Sequence, residues 1–417
     1  MKKITGWVLV LTLLLTLVGC GPKQSGGTTE KETQASTSVT SVETSSEATM
    51  EESSEETKGS VELSPDGRFP AETIKVGFVN YDTTAEQVLA IQKYFDYLQT
   101  AFNFDVIWSE SLKNAEEEFD FIERCAAAGC KAIIGYYNEG KEESVKLASS
   151  LKMYYWGLAG LPDAYEAVKF DPYYVGCYSA ENRDYEFGVH IAEMLVKNDC
   201  HKIIVMSGGK DYGVDFFIDR YNGIMDGISD AKAKGYDIEV VYEVPGWPGT
   251  EEFAAHQTAA LATNADGLAG TLSCLMWIQP MQTAGKFGQI KTACIDTASQ
   301  IVVDMMHAGM YVGICAEIPD VFGLSIPMII NAVTGYGDRQ RNPDGSAGQV
   351  EAGYWIIDNV EDAEYYLSIE QDSGGWVWDI DDIKSILGAF NPDFTLEDMN
   401  KLYSAVSADE IRARKAK

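Results

Sequence analysis

Histidine is scarce. The 417-residue chain holds four, His190, His201, His256 and His307. They are scattered over helices and turns, with no metal-ligand spacing and no nucleophile placed beside them. A histidine-held metal and a serine–histidine triad therefore have no support. Basic residues are short as well. Lys and Arg number 32 against 64 Asp and Glu, a formal net charge of −32. Nucleic acid and anionic lipid surfaces are poor partners for such a chain. A phosphate loop is lacking too: Ser207-Gly208-Gly209-Lys210 is a Gly-rich turn without the glycine that should precede it. Neither a catalytic residue nor a metal nor a cofactor is expected, and the chain does not read as an enzyme.

Of the eight cysteines, seven follow Cys20, an odd number without metal-ligand spacing. Cys125 and Cys130 flank Ala-Ala-Ala-Gly. They can pair in an oxidising compartment, or serve with the others as small buried apolar side chains.

The first residues point to a compartment. Lys2 and Lys3 precede an uncharged apolar run from Trp7 to Val18. That run is short for a membrane span and fits a signal-peptide core. It ends in Leu17-Val18-Gly19-Cys20, which resembles the bacterial lipobox. The resemblance implies that residues 1–20 are a lipoprotein signal peptide and that Cys20 is lipidated. The chain would then be anchored to the outer face of the cell membrane, its only membrane contact. Residues 21–71 follow as a Ser/Thr/Glu-rich tether, too poor in apolar residues to offset chain entropy.

The remainder has 46% apolar residues chain-wide and length for two lobes. Apolar strands alternate with amphipathic helices. Ile74–Val79 reads as a first strand, and residues 84–102 as a helix with Val88, Ile91, Tyr94, Phe95 and Leu98 at helical spacing. Strands follow at 104–108, 132–136, 153–158 and 173–178. The alternation then restarts, with a helix over 181–197 and strands at 202–206, 238–242, 267–271, 290–295 and 311–316. Repeated βα units of this length require parallel sheets with helices on both faces. The fold class is α/β: two doubly wound parallel-sheet lobes joined by a three-strand hinge, with a C-terminal helical extension. Beyond Tyr354, residues 379–387 and 396–414 read as a helical pair, expected to pack on the second lobe.

Three stretches carry a family resemblance. Asp219-Arg220-Tyr221-Asn222-Gly223, opening an amphipathic helix, Cys294-Ile295-Asp296 at a strand end, and Ala316-Glu317-Ile318-Pro319-Asp320 at a crossover resemble the type I periplasmic binding proteins of the ribose-binding group. Ser179-Ala180-Glu181-Asn182 is similar to that family's first crossover. The resemblance covers about residues 74–359. It implies an N-terminal lobe of 72–178 and 319–350, a C-terminal lobe of 179–318 and 351–378, and an extension of 379–417. Crossovers near Ser179, Ile318 and Val350 would form the hinge.

The resemblance places the ligand between the lobes, at the C-terminal ends of the strands. Open parallel sheets independently favour that edge. Arg220 is the implied donor, with a guanidinium fork for neighbouring oxygens. Asp296 accepts from paired hydroxyls or an amine, and Glu317 stands where relatives often carry Gln. A surface pair of Arg220 with Asp219, or a helix-capping role for Asp296 before Thr297, would look the same in sequence. The first lobe departs from the family. Leu158-Ala159-Gly160-Leu161 replaces a sugar-gripping Asp-Arg, the segment from Tyr81 to Gln87 replaces paired aromatics, and Ser273 stands in place of an Asn-Asp pair. Tyr81, Gln87, Tyr136, Trp156 and Ser273 are the replacements expected to line the site, with Tyr137 and Trp277 as further aromatics near strand ends. The implied function is capture of a small polar solute, sugar-like by family default, by a monomer that delivers it to the permease of an ABC importer. The alternatives are a ligand-sensing partner of a chemoreceptor or histidine kinase, and a binder of nucleoside-like or amine-bearing ligands.

Overall fold

The computed structural model describes residues 61–137, 139–159, 161–179, 183–212, 215–296, 298–316, 319–371, 375–404 and 408–415. The expected lipidation site Cys20 and the expected ligand residue Glu317 lie outside these.

The strands are β1 (Phe69–Asn80), β2 (Phe102–Ser111), β3 (Ala132–Tyr136), β4 (Tyr154–Trp156), β5 (Tyr174–Ser179), β6 (Lys202–Met206), β7 (Glu239–Val244), β8 (Gly267–Gly270), β9 (Lys291–Asp296), β10 (Tyr311–Ala316), β11 (Gly348–Glu351) and β12 (Trp355–Ile357). The helices are α1 (Glu86–Leu98), α2 (Ala115–Ala127), α3 (Lys141–Ser150), α4 (Pro162–Val168), α5 (Arg183–Lys197), α6 (Asp215–Ala233), α7 (Glu251–Leu261), α8 (Ile278–Thr283), α9 (Gln300–His307), α10 (Ser325–Val333), α11 (Val360–Gln371), α12 (Ile380–Ser385), α13 (Leu396–Ser404) and α14 (Ala408–Lys415).

Two six-stranded sheets result. The first runs β11-β5-β4-β3-β1-β2 and is parallel throughout. The second runs β12-β10-β9-β8-β6-β7, and only β12 is antiparallel, pairing with β10. The expected pair of parallel-sheet lobes with a C-terminal helical extension is thus present. The chain leaves the first sheet at Ser179 and resumes at Arg183 of α5, leaves the second at Ala316 and resumes at Pro319, and crosses again between Glu351 and Trp355. Strand order reverses between β1 and β3 in one sheet and between β6 and β8 in the other. Each reversal leaves a crevice at the carboxyl edge, because the flanking connections depart to opposite faces.

The helical spacing in α1 is realised as burial: Val88, Ile91, Tyr94, Phe95 and Leu98 are all buried, the Phe95 ring edge-on to Phe78 and Phe104 of the first sheet. β1 starts at Phe69, ahead of the expected end of the tether at residue 71. Phe69 pairs in register with Phe102, and its ring meets that of Phe390 at 5.1 Å. An aromatic with two such partners stays in the fold rather than in a tether.

The extension does not behave as one helical pair on the second lobe. Residues 396–414 divide into α13 and α14. The extension and the segment just ahead of it bond the first lobe: the Tyr94 hydroxyl donates to Trp378 O (2.8 Å), Ile380 N donates to the Tyr97 hydroxyl (3.2 Å), and Asn331 bonds both Ile386 O and Gly388 N (2.9 Å each). Trp376 closes on the rings of Tyr94 and Tyr97. The periodicity of α13 and α14 marks a buried face but carries no address for the surface that buries it. All seven cysteines after Cys20 are buried free thiols, Cys125 and Cys130 among them.

Candidate functional site

In the second lobe the site is built on the contact between α5 and α6. A Cβ added at Gly188 would sit 2.2 Å from Arg220 O, and one at Gly223 would sit 2.0 Å from Tyr185 O. Only glycine at both positions lets the helices approach this closely. The approach brings Asp184, in the first turn of α5, against Arg220 of α6. Arg220 Nε donates to Asp184 Oδ1 at 2.6 Å and Nη1 donates to Thr271 O at 3.2 Å. Phe216 lies under the guanidinium at 4.8 Å. Arg183 reaches the other carboxylate oxygen of Asp184 at 3.9 Å and stacks over Tyr178 (5.3 Å) and Phe187 (5.4 Å). Arg183, Asp184 and Arg220 are each at most 6% exposed. Burial of this kind is tolerated because the charges face each other and Arg220 spends Nε and Nη1 on Asp184 and Thr271 O.

The strand ends beside this cluster are cross-tied. Thr271 Oγ1 bonds both Met206 O (3.1 Å) and Gly208 O (3.0 Å), bridging the β6–β8 crevice. Asp296, last in β9, accepts from Ser273 Oγ at 2.9 Å and from the Cys294 thiol at 3.8 Å. Helix α9 is capped by Ser299, whose side chain accepts from Val302 N. The capping duty that Asp296 could have held thus falls on Ser299. Likewise Arg220 is no surface charge paired with Asp219; its partner is the buried Asp184. Arg220, Asp296 and Ser273 therefore gather at one carboxyl edge.

In the first lobe Tyr136, at the end of β3, donates its hydroxyl to Gln87 Oε1 of α1, and the Tyr81 ring meets it edge-on at 5.0 Å. Tyr136 and Trp156 both rest on Phe322, at 4.4 and 5.8 Å between ring centres. Phe322 belongs to a 3₁₀ turn, Pro319–Leu324, just past the second crossover. That turn packs closely on α1: a Cβ on Gly323 would meet Tyr94 Cε1 at 2.0 Å. Tyr178 at the first crossover also touches Phe322 (5.7 Å). A continuous aromatic run therefore leads from Tyr81 through Tyr136, Phe322 and Tyr178 to the Arg183 guanidinium of the second lobe.

Two polar groups on this edge are buried without a hydrogen-bond partner: both amide atoms of Asn80, the last residue of β1, and Nε1 of Trp156, the last of β4. Asn80 lies beside Tyr136 in the strand register, at the β1–β3 crevice. Its backbone is fully used: N donates to Ser109 Oγ at 2.8 Å and O accepts from Leu112 N at 3.0 Å. Buried polar groups of this type are rare in folded proteins.

The site residues that sequence reasoning missed are Asn80, Arg183, Asp184, Phe216 and Phe322. One signal was available for the first: an amide ending an otherwise apolar strand, Val76-Gly77-Phe78-Val79-Asn80. Asp184 and Phe322 had none, because each acts on residues far away in sequence. The two further aromatics near strand ends lie elsewhere. Trp277 is core, its Nε1 directed at the Met206 sulfur (3.1 Å) and its ring edge-on to Phe253. Tyr137 turns to the other face of the first sheet, where the Lys141 ammonium lies 5.7 Å from its ring; burial and nearby carboxylates push its hydroxyl pKa up. A pocket of about 220 Å³, lined by Tyr154, Pro172, Gln340 and Arg341 among others, opens at the opposite, N-terminal end of the first sheet and has no part in this cluster.

No family model matches the chain, and no curated protein matches it by sequence. Solved structures do match. A galactofuranose binding protein aligns at 16% identity and TM-score 0.55, over 73% of this chain and 100% of its own. An ABC transporter solute binding protein from Bacillus halodurans with bound myo-inositol aligns at 15% and 0.53, over 71% and 97%. A periplasmic solute binding protein of an ABC transporter from Actinobacillus succinogenes, with bound D-allose, aligns at 15% and 0.57, over 70% and 100%. The two hinged parallel sheets described above are therefore the fold that this chain shares with periplasmic solute-binding proteins.

Proposed function

We propose that the chain captures a small polyhydroxylated solute between its two lobes and delivers it to a membrane permease of the ABC importer class, without chemical turnover. One observation carries the reading. Buried charges on the carboxyl edge of one sheet (Arg220, Asp184, Asp296) and buried unbonded polar groups on that of the other (Asn80, Trp156) are linked through Phe322 and Tyr178 at the hinge. Guanidinium and carboxylate together suit a ligand whose hydroxyls both donate and accept. Tyr81, Gln87, Tyr136 and Ser273 shape the rim, and Glu317 at the second crossover adds an acceptor. Aromatic faces beside polar groups suit the C–H faces of a sugar or cyclitol. The bound molecules of the myo-inositol and D-allose complexes have this chemistry.

In this reading the chain works outside the cytoplasm, exported by the Lys2–Val18 segment and tethered through acylated Cys20. Contacts from both lobes exist together only when the lobes are closed, so ligand shifts the population toward closure. A thermal-shift screen against furanoses, pyranoses, cyclitols and nucleosides tests the class, since a ligand at 100 times its Kd stabilises by about 2.7 kcal/mol. The expected result is a rise for one polyol or sugar, weakened at least tenfold in Kd by Arg220→Ala, as for a charge-assisted bond of ~1.5–3 kcal/mol. A hit confined to nucleosides or amines, or one indifferent to Arg220→Ala, rejects this assignment.

A further inference from the structure

The C-terminal extension touches the moving parts of the molecule at three levels. Its first part is seated on the first lobe through Trp376, Trp378 and Asn331, as described above. Its middle part grips the third crossover itself: Gly353 N, between β11 and β12, donates to Tyr403 O at 2.7 Å, and Glu351 N donates to Asn400 Oδ1 at 2.8 Å. Its last helix, α14, reaches α11, which packs with α9 and β12 of the second lobe. There Arg412 Nη2 donates to Asp362 Oδ1 at 2.6 Å, and the guanidinium lies 4.4 Å from the Tyr365 ring centre. Arg414, paired with Asp382 at 3.3 Å, fastens α14 back onto α12. The extension is thus anchored on one lobe, bonded to a hinge strand and ion-paired to the other lobe.

We propose that the extension is a strap whose α14–α11 contact sets the angle between the lobes. The three crossovers alone let the second lobe rotate about a line through residues 179–183, 316–319 and 351–355. A fourth attachment, made by α14 to α11 and not by a crossover, resists rotation, because turning the second lobe carries Asp362 and Tyr365 away from an Arg412 held by the first. The contact is half-exposed, the Arg412 and Asp362 side chains being 35% and 24% accessible. Such a pair is weak enough to break and re-form on the timescale of hinge motion, yet strong enough to bias populations by about two- to fivefold. The strap therefore holds the lobes in the arrangement described here and sets how much differential binding a ligand must supply to change it. The proposal rests on the hinged capture cycle, but its readout needs no ligand, so failure to find one leaves it standing.

The test is a distance measurement in the ligand-free protein. Spin labels are placed at Glu110→Cys in the first lobe and Glu252→Cys in the second, both exposed in the wild type, in a Cys20→Ser background, the seven described native thiols being buried. Arg412→Ala and Asp362→Asn should each lower the population at the wild-type distance about two- to fivefold and raise a second, displaced one. The double variant should match either single variant, and 1 M salt should act on the wild type in the same direction. Asp409→Ala, which removes the other carboxylate held by Arg412 but within α14 itself, should leave the distribution alone. Unchanged distributions in Arg412→Ala and in a chain ending at Ser404, with melting showing that both are folded, overturn the proposal. So does an equal shift with Asp409→Ala.

Discussion

Asp184→Asn isolates the buried charge cluster. The substitution keeps the side-chain shape and removes one negative charge from a site where two guanidinium groups face the same carboxylate. Asp184 is 3% exposed, Arg220 5% and Arg183 6%, so water contributes little screening. The Arg220 Nε–Asp184 Oδ1 bond of 2.6 Å is in the charge-assisted range. Removing one partner of such a buried pair costs about 3–5 kcal/mol, mostly for the charge left behind. Removing both charges avoids leaving Arg220 buried without its counter-charge, so the Asp184→Asn, Arg220→Met double variant should be more stable than Asp184→Asn alone. Urea unfolding of the wild type, both single variants and the double variant gives the coupling energy, expected to be at least ~2 kcal/mol and of the sign that makes the double variant less damaging than the sum. An Asp184→Asn variant within ~1 kcal/mol of the wild type, or strict additivity, would refute the claim that this carboxylate holds the site's arginines in place.

Gly188→Ala places a methyl group 2.2 Å from the Arg220 carbonyl oxygen. The helices must separate by about 1 Å, which costs ~1–3 kcal/mol and stretches the Arg220–Asp184 bond beyond hydrogen-bonding reach; a lowered melting temperature, with ligand affinity lost out of proportion, is expected. Glu118→Gln disrupts a second buried pair, in which Lys141 Nζ lies 2.7 and 2.8 Å from the two carboxylate oxygens and burial lowers the lysine pKa. Denaturant unfolding should show a loss of ~3–5 kcal/mol, and much of it should return with Lys141→Met added. His201 has its pKa raised above the ordinary 6.5, first by the hydrogen bond to Asp237 O and then by the Asp199 charge. A raised folded-state pKa stabilises below the unfolded value and is lost as pH rises through the folded value. The stability difference between the wild type and His201→Gln should therefore be largest below pH 6.5 and shrink at higher pH, with NMR titration placing the ring above 6.5.

Much of the fold could be read from local pattern. The apolar runs at Ile74–Val79 and 202–206 could only be buried strands. The 3.6-residue spacing of Val88, Ile91, Phe95 and Leu98 required a helix with one face inward. Alternation of the two demanded parallel sheets, because a strand returning in the same direction needs a covering crossover. Arg220 and Asp296 were singled out through the resemblance of their local stretches, 219–223 and 294–296, to a known family. These properties are local: the side chain and its neighbours within a few residues decide them.

The partners were decided by tertiary structure. Arg220 meets Asp184 rather than adjacent Asp219 because Gly188 and Gly223 let two helices close on each other, a fit that exists only once both have formed. Trp156 and Trp277 look alike in sequence, yet one indole nitrogen faces a sulfur in the core and the other is left without a partner near a strand end. Phe322 joins the two halves of the site from a segment more than 160 residues away from Trp156. The extension settled on the first lobe because Tyr94 and Tyr97 offer rings and hydroxyls to Trp376, Trp378 and Ile380, a match between distant surfaces. An amphipathic face declares that it will be buried; which surface buries it depends on shapes that no local stretch of sequence contains.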